Sequence, residues 1–407
     1  MTRERELLNL RHVRIFLEVA RGRGVSAAAA AVNLSQPAIT QAIAKLEATF
    51  QQKLFDRRSK GMFVTEAGGL LQERAHRALD LIGEGCALAF RKQARSGAAG
   101  YGKLDQLVTS TQLRALLAVE HSGNFSLAAR HIGVSQPSLH RVARDLEAAT
   151  GLTLFVTSRQ GIDLTDAAKV LAQYSKLAYA ELRSAFEEID ATRGLETTRI
   201  VVGSLPLARS RVLPQAINTL TAAHPSVQIS VVDGPYDDLL HGLRHGEIDL
   251  MIGALRFPSP IDDVEQKALF TDYLGVFART GHPLAGRLDV TIDDLATFPW
   301  IVPRSGTPTR SHFDTLFRKA GREPPKHVVD TGSLILLRGV LRGSDRLALI
   351  SVHQMQDDVD NGQVIRVPFD LPDTERPIGI TTRVGWRPTS MHRRFMELLR
   401  ESAGALA

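Results

Sequence analysis

Cysteine is almost absent from this chain, since Cys86 is the only one among 407 residues. A single cysteine excludes a disulfide within the chain and a zinc site built from several cysteines. No apolar run reaches the roughly 18 residues that suggest a membrane span. The first residues, MTRERELLNLRHVRIF, carry charge without an apolar segment before a cleavage site, so we expect no signal peptide. These absences predict a cytoplasmic protein without membrane contact.

The motifs of the common enzyme classes are also missing. The sequence has no P-loop, no G-x-S-x-G and no H-E-x-x-H, and its 13 histidines lack the spacing of metal ligands. We therefore expect no enzymatic activity, no cofactor and no metal site.

The net positive charge of the chain comes entirely from its first half. Residues 1–196 hold 26 Lys and Arg against 20 Asp and Glu, whereas residues 197–407 hold 24 of each. The first half therefore carries the whole net charge of +6. A basic half favours a polyanionic partner such as nucleic acid, although a charge of this size also serves solubility.

The first half contains one pattern twice. VNLSQPAITQAIAKLE at 32–47 aligns with IGVSQPSLHRVARDLE at 132–147, an offset of 100 residues. The alignment extends without a gap over more than 40 residues and includes Leu-Glu and Leu-Phe pairs in both copies. A period of this length is too long for a solenoid repeat, so the pattern predicts a duplicated small domain.

Each copy has the pattern of a winged helix-turn-helix. In the first copy, apolar residues over 12–21 recur at helical spacing, and Ser26 is expected to cap an alanine-rich helix over 27–32. Ser35 is a suitable N-cap for a third helix that runs to about Phe50. The segment KLFDRRSKGMFVT then predicts two strands joined by a basic turn. In this fold the third helix enters the DNA major groove.

The motif itself resembles a known family. S-x-A-A-A, then S-Q-P-A-x-T-x-x-I-x-x-L-E, then L-F-x-R and T-E-A-G is similar to the DNA-binding domain of the LysR-type transcriptional regulators. The first copy matches nearly throughout, whereas the second departs after Leu154-Phe155. Members of this family normally carry one such domain at the N-terminus, so a tandem pair leaves the usual dimer arrangement open.

The two copies differ at the exposed positions that would read DNA. In the first copy we expect DNA contacts from Ser35, Gln36, Pro37, Thr40, Gln41, Lys45, Arg57, Arg58 and Lys60. In the second copy we expect them from Ser135, Gln136, Pro137, His140, Arg141 and Arg144. Glutamine pairs with adenine and arginine with guanine, so the two helices would read different sequences. The second wing offers one cation, Arg159, so this copy either reads a second half-site or is mainly structural.

A long helix with an apolar seam follows each copy. The first seam is Leu71, Ala75, Ala78, Ile82, Cys86 and Ala89, and the second is Leu171, Tyr174, Ala178, Leu182, Ala185 and Ile189. The resemblance implies that such helices pair two subunits. The same spacing also suits packing within a domain, or pairing of the two helices of one chain.

These patterns divide the chain into six segments. They are a winged helix-turn-helix (7–66), a linker helix (67–95), a flexible hinge (96–104), a second winged helix-turn-helix (105–166), a second linker helix (167–193) and a C-terminal domain (197–403).

The C-terminal half alternates strand and helix patterns. Strands are predicted at 199–204, 227–232, 249–253, 273–278, 300–303, 327–329, 346–351 and 378–382, and helices at 211–224, 236–245, 311–320, 333–341 and 389–399. This alternation predicts a mostly parallel sheet with crossover helices. GEIDLMIGA at 246–254 and GHPLA at 281–285 are similar to landmarks of the same family. The resemblance implies a two-lobed, periplasmic-binding-protein-like effector domain, and hence a multidomain α/β fold.

Two loops of this domain are suited to a ligand, because ligands of open α/β sheets bind beyond the carboxyl ends of strands. The expected effector-binding residues are Ser204, Leu205, Pro206, Ser305, Gly306, Thr307 and Thr309. Hydroxyls and free N–H groups there favour a small anion, with Arg304 and Arg310 to neutralise it. Each Ser or Thr also suits a plain N-cap. ALRFPSP at 254–260 has a weaker likeness to regulators of sugar metabolism, which adds a sugar-related metabolite as an alternative effector.

Together these features predict a bacterial-type, nucleoid-associated, sequence-specific transcriptional regulator controlled by a small molecule bound between two lobes. Its expected partners are double-stranded DNA, the effector, RNA polymerase and further copies of the chain. A solute-binding transport protein with this C-terminal fold is an alternative, but it would need export, and we expect no signal peptide. A nucleoid protein without sequence choice would not need Gln and Arg at base-reading positions.

Overall fold

A computed structural model describes residues 8–22, 24–59, 61–93, 104–158, 161–259 and 261–404. The chain forms two compact units, of which the first holds the residues up to Arg199 and the second holds most of the remainder. The predicted hinge over 96–104 lies outside the described residues except for Leu104. Within the described ranges, no helix is both long enough and apolar enough to cross a bilayer.

The first copy consists of three helices and a two-stranded wing. Its elements are α1 (Leu10–Gly22), α2 (Val25–Val32), α3 (Gln36–Phe50), β1 (Phe55–Arg58) and β2 (Gly61–Val64). Ser35 is the N-cap of α3, as its position before the helix predicts. The cap predicted at Ser26 is wrong, because α2 begins at Val25, two residues before the predicted start, and the extended Gly24 is its N-cap.

The second copy repeats this order. Its elements are α5 (Leu104–Leu107), α6 (Ser110–Ser122), α7 (Phe125–Ile132), α8 (Gln136–Thr150), β3 (Phe155–Ser158) and β4 (Gly161–Leu164). Here α7 has a side-chain cap, since the Asn124 carboxamide accepts hydrogen bonds from the N–H groups of Ser126 and Leu127. Each wing is an antiparallel hairpin in the same register, with Phe55 opposite Val64 and Phe155 opposite Leu164.

Two long helices join these copies into one core. They are α4 (Glu66–Gln93) and α9 (Asp166–Ala191). The six predicted seam residues of α4 have no exposed surface, and those of α9 are at most 2% exposed except for the half-buried Tyr174. Buried residues of both copies and both helices form a single hydrophobic cluster. Of the arrangements that the seam pattern left open, the structure has the pairing of the two helices within one chain.

The second unit contains two sheets surrounded by helices. The elements of the first lobe are β5 (Arg199–Ser204), α10 (Val212–Ala223), β6 (Gln228–Asp233), α11 (Tyr236–Arg244), β7 (Leu250–Ala254), β8 (Val264–Asp272), β14 (Arg376–Arg383) and α16 (Ser390–Gly404). Those of the second lobe are β9 (Leu274–Arg279), α12 (Ile292–Ala296), β10 (Trp300–Val302), α13 (Pro308–Lys319), β11 (Val328–Asp330), α14 (Leu334–Arg342), β12 (Leu347–Ser351), α15 (Val352–Asp360) and β13 (Val364–Val367).

Each sheet mixes parallel and antiparallel strands. The orders are β6-β5-β7-β14-β8 and β11-β10-β12-β9-β13. The pairs β5/β7, β10/β11 and β10/β12 are parallel, whereas β14 and β9 run antiparallel to their neighbours. The sheets are therefore less parallel than the strand–helix alternation predicts, because the chain crosses between the lobes twice, from β8 to β9 and from β13 to β14. The sequence pattern missed β8 because VEQKALFTD is mostly polar and only three of its nine residues are buried.

Candidate DNA interface and effector cleft

The third helix of the first copy offers a continuous exposed face. Ile39, Ile43 and Leu46 anchor its other face in the core. The predicted contact residues on the helix and at its cap are all exposed, namely Ser35, Gln36, Pro37, Thr40, Gln41 and Lys45. The Ser35 hydroxyl accepts a hydrogen bond from the Ala38 N–H at 3.4 Å. The helix therefore presents its N-terminal turn and its long polar side chains on the surface that a groove would contact.

The wing of the first copy adds exposed cations beside this helix. Arg57 and Arg58 both lie on β1 with their side chains in solvent. The Arg58 guanidinium lies 3.5 Å from an Asp56 carboxylate oxygen and 5.3 Å from the centre of the Phe63 ring. The third predicted wing cation, Lys60, lies outside the described residues. An exposed ion pair of this kind is weak, so Arg58, like the exposed Arg57, can turn to a phosphate.

In each copy, a glutamate near the end of the third helix fixes the wing to that helix. The Glu47 carboxylate accepts hydrogen bonds from the Leu54 N–H at 3.0 Å and from Lys53 Nζ at 2.9 Å. In the second copy, Glu147 accepts from the N–H groups of Leu154 and Phe155 at 2.7 and 3.1 Å. The Leu-Glu pair common to both copies was the available signal for this contact.

The third helix of the second copy is exposed but more restrained. All six of its predicted contact residues are exposed. The Gln136 side chain accepts a hydrogen bond from the Ser126 hydroxyl at 2.7 Å, and the His140 ring lies 5.0 Å from the Phe125 ring. Arg144 forms an ion pair with Glu147 at 2.6 Å. Among the described residues, Arg141 is the long basic side chain of this face without a hydrogen bond, ring contact or ion pair of this kind.

The first predicted effector loop follows β5. Ser204 is completely buried, Leu205 is half-buried and Pro206 is exposed. The Leu205 N–H donates to the Ile252 carbonyl at 3.0 Å. A Cβ added at Gly253 would lie only 2.5 Å from the Leu205 Cβ. Gly253 therefore permits the close approach of this loop to β7.

Beside this loop are polar atoms that the protein itself leaves unsatisfied. Arg209 Nη2 donates to the Ser204 carbonyl at 2.8 Å, and Arg209 Nη1 lies 3.5 Å from Asp233. Arg209 Nε, the Ser210 hydroxyl and the Tyr236 hydroxyl are buried without a hydrogen-bond partner in the described structure. Such atoms cost free energy unless a ligand or water satisfies them. The sequence pattern missed Arg209 and Ser210, which follow the last predicted residue, Pro206, by three and four positions.

The second predicted effector loop precedes α13. Ser305 and Gly306 are exposed, and the Thr307 hydroxyl caps the helix by accepting from the Arg310 N–H. Arg310, which is expected from the sequence to neutralise a ligand, has partners within the protein. Its guanidinium is already shared by Asp314 at 3.2 Å and Asp330 at 3.4 Å.

A different arginine reaches this loop. Arg376 Nη1, at the start of β14, donates to the Thr309 hydroxyl at 3.1 Å, and its Nε donates to Asp272 at 2.7 Å. Asp272 ends β8, has no exposed surface and also contacts Ser351 at 2.6 Å and His353 at 2.8 Å. Burial alone would raise the pKa of Asp272, but its hydrogen bond to His353 and the charge of Arg376 outweigh burial and lower it. The two crossovers between the lobes are therefore linked by an ionised carboxylate.

One cavity of about 570 Å³ lies along α13 and reaches the second loop at Pro308. Pro308, Thr315, Lys319, Phe369 and Leu371 are among the residues that line it, and none of the seven predicted effector residues does. Its walls are mainly apolar and contain none of the unsatisfied buried atoms found in the described structure. We therefore do not assign the effector to this cavity. The described residues also contain no cluster of His, Cys, Asp and Glu that could hold a metal ion.

Comparison with protein families gives three matches that cover most of the chain. A model of the LysR substrate binding domain matches residues 193–404. A model of the bacterial regulatory helix-turn-helix protein, lysR family, matches residues 10–69 and again residues 110–169. The two helix-turn-helix matches are offset by the same distance as the sequence repeat.

Individual proteins show the same likeness. The HTH-type transcriptional regulator GalR of Pseudomonas putida is 35% identical over 380 residues, which cover 93% of this chain and 94% of that protein. YdcI of Escherichia coli, an uncharacterized HTH-type transcriptional regulator, is 28% identical over 69% of this chain and 91% of that protein. Among solved structures, HinK of Pseudomonas aeruginosa, a LysR family transcriptional regulator, aligns at 25% identity over 73% of this chain and 98% of that chain, with a TM-score of 0.44.

Proposed function

Because the chain belongs to the LysR family of transcriptional regulators, we propose that it controls transcription through two DNA readers in tandem and one effector domain. The observation that carries this proposal is the repeat. The same order of helices and strands occurs twice, and the helix-turn-helix model matches the chain twice. The proposed readers are residues 7–66 and 105–166, each followed by a linker helix (67–95 and 167–193), and 197–403 form the effector domain.

The first copy is proposed to read base edges with Gln36, Thr40, Gln41 and Lys45. Their exposure on one helix face supports this role, because a recognition helix must present long polar side chains to the groove. Arg57 and Arg58, with Lys60, would contact phosphates beside the groove. Ser35 and Pro37 would set the start of α3 and bring its free N–H groups toward the phosphate backbone of the DNA.

Salt dependence separates these two roles. Arg57→Ala is expected to weaken binding by a similar factor on every DNA sequence and to reduce the slope of log K against log salt by about 1, because one phosphate contact is lost. Gln41→Ala is expected to leave that slope unchanged and to reduce the preference for the operator over unrelated DNA. Fluorescence anisotropy over a salt series on operator and random duplexes measures both. Equal changes in slope for the two variants would contradict the assignment.

The second copy is proposed to read a second half-site of different sequence. Arg141 and Arg144 would contact guanines, with Ser135, Gln136, Pro137 and His140 around them. The restraint of Gln136 by Ser126 and of His140 by Phe125 supports a preformed surface, because side chains that are already ordered lose less entropy on binding.

The effector is proposed to be a small anion bound at the β5 end of the first lobe and enclosed by the second lobe. Arg209 Nε and the Ser210 hydroxyl support this site, since they are buried donors without a partner among the residues that the structure describes. The predicted residues Ser204, Leu205 and Pro206 form the same loop, and Ser305, Gly306, Thr307 and Thr309 would approach from the other lobe. A ligand that favours the closed form would shift the population of two domain states.

Ligand-dependent melting tests this site. A panel of small carboxylates, phosphates and sugar acids should contain a compound that raises the melting temperature of the wild-type chain, because a ligand that binds only the native state stabilises it. Arg209→Ala is expected to abolish that shift. Arg322→Ala removes an exposed cation that is paired with Asp293 in the second lobe, and should retain it. A panel without any shift, or a shift that survives Arg209→Ala, would count against the anion site.

Family membership also supports three further proposals. We propose that the chain contacts RNA polymerase when bound at a promoter, that it works as an oligomer and that it resides in the cytoplasm with the nucleoid.

A further inference from the structure

We propose that the linker helices α4 and α9 are complementary to each other and not to themselves. The two DNA-reading copies of one chain would then pair with each other, and not with the same copy in a second chain. This inference uses the proposed function only for its consequence on DNA, since the pairing itself concerns contacts within the protein.

The two helices run antiparallel around an approximate two-fold axis. Arg74, near the start of α4, contacts Glu188 near the end of α9, whereas Gly85, further along α4, contacts Tyr174 near the start of α9. At the axis, the Leu10 N–H donates to the Ser110 hydroxyl at 2.8 Å, and these two residues are equivalent in the repeat. Each position of α4 that faces α9 is therefore matched by its repeat equivalent on α9 facing α4, as in a symmetric dimer.

The first departure from symmetry is a buried ion network. Arg74 Nη1 lies 2.7 Å from Glu181 and its Nε lies 3.0 Å from Glu188, with only 6% of the Arg74 side chain exposed. Arg77 also reaches Glu181, at 3.2 Å. Burial alone would lower the pKa of Arg74, but its hydrogen bonds to Glu188 and Glu181 outweigh burial and raise it. The cation and both carboxylates are thus mutually satisfied.

The residues equivalent to this network cannot form one. The repeat places Tyr174 at the position of Arg74, and Leu81 and Leu88 at the positions of Glu181 and Glu188. Two α4 helices in the same geometry would bury each Arg74 against leucines. Two α9 helices would bury four carboxylates without a cation. An unpaired buried charge is strongly destabilising, so both like pairs are disfavoured.

The second departure is steric. A Cβ added at Gly85 would lie 2.5 Å from the Tyr174 Cβ, which is closer than side chains pack. The residue equivalent to Gly85 is Ala185. A pair of two α9 helices would therefore press each Tyr174 against the methyl group of an Ala185.

A third difference lies at the ends of the recognition helices. The Phe50 ring, at the end of α3, stacks on the Phe186 ring of α9 at 4.2 Å. The equivalent positions hold Thr150 and Cys86. A like pair would therefore replace this aromatic stack by a single ring against a smaller side chain.

Unlike pairing has a direct consequence for DNA. Two readers with different base-reading residues are held in one fixed arrangement, so the bound site should contain two unlike halves in a fixed order. A symmetric pair of identical readers would instead select an inverted repeat.

The pairing is tested with charge-reversed full-length chains in the absence of DNA. The first variant carries Arg74→Glu, the second carries Glu181→Arg and Glu188→Arg, and the third combines all three changes in one chain. Each of the first two should melt well below the wild type in its first unit. The combined chain should regain more than half of that loss, because opposite charges face each other again. An equimolar mixture of the first two variants should melt as its components do, at every protein concentration.

Two results would overturn the proposal. Recovery in the mixture would show that α4 of one chain pairs with α9 of another. A combined chain no more stable than the two partial variants would show that these charges do not select the partner helix. Neither result depends on whether the second copy binds DNA, so failure of the pairing is distinguishable from failure of the proposed function.

A milder pair of variants covers the case in which charge reversal prevents folding. Gly85→Ala should lower the melting temperature of the first unit, because its methyl group meets Tyr174. Gly69→Ala lies in the same helix with open space around its Cβ position, and should leave that temperature unchanged or raise it. Equal effects of the two substitutions would contradict the close approach of the helices.

Discussion

Replacement of Asp272 by alanine is expected to destabilise the effector domain by about 3–5 kcal/mol, because it removes one partner of a buried charge pair. Asp272 is fully buried, and its carboxylate satisfies Arg376, Ser351 and His353 together. Without it, the Arg376 guanidinium, with 24% of its side chain exposed, would keep only its contact with Thr309 among these partners. Because Asp272 and Arg376 belong to the two crossovers, this loss would also loosen the connection between the lobes.

Urea unfolding of the second unit measures this loss. Asp345→Ala is the control, since Asp345 also pairs with an arginine at 2.7 Å but is 47% exposed, and should cost about 0–1 kcal/mol. A similar loss for both substitutions would contradict the buried role of Asp272.

The pH dependence of this effect has a defined sign. The folded-state pKa of Asp272 lies below its ordinary value of 3.8, so its contribution is complete above that value and is lost as the pH falls through the lower folded value. The difference in unfolding free energy between the wild type and Asp272→Asn should therefore be constant from about pH 5 to 7 and shrink below about pH 4. A difference that grows on acidification would contradict the lowered pKa.

Joint replacement of Gln41 and Arg58 by alanine is expected to weaken operator binding by about 2–4 kcal/mol, because a base contact and a wing contact are lost together. Both side chains are exposed on the face formed by α3 and the wing of the first copy. Joint replacement of Arg141 and Arg144 should weaken binding at a different half-site. Its effect should come mainly from Arg141, since Arg144 must first leave Glu147.

Footprinting of the four proteins on the promoter region of the regulator's own gene separates the two half-sites. Arg394→Ala is the fourth protein and the charge control, because it removes an exposed cation of α16 in the effector domain. It should leave both protected segments intact. Loss of protection only with the first double variant would mean that the second copy has left DNA and serves assembly.

The local features of the fold could be predicted from the sequence where a single pattern decides the structure. Ser35 and Pro37 predict the start of α3, and the spacing of the apolar residues from Leu71 to Ala89 predicts the buried face of α4. Ser26 was a misleading cap signal, because a glycine in extended conformation begins the helix without any side-chain contact. The strand β8 was missed because its residues are mostly polar at a lobe crossover.

The contacts that define the sites were less predictable, because they join residues far apart in the chain. Arg310 and Arg376 both have the chemistry to meet an anion, but only the folded chain brings Asp314 and Asp330 to the first and Thr309 to the second. The same holds for Arg74, whose partners lie 107 and 114 residues away. The repeat could have indicated this network, since its equivalent positions hold a tyrosine and two leucines.

The central claim is that one chain holds two unlike DNA readers in a fixed pair. Selection of bound sequences from a pool of random DNA with the wild-type, full-length chain tests it most directly. We expect the recovered sequences to contain two unlike blocks in one order and at one spacing. An inverted repeat of a single block would contradict the claim, since it would show that identical copies from two chains read the DNA together.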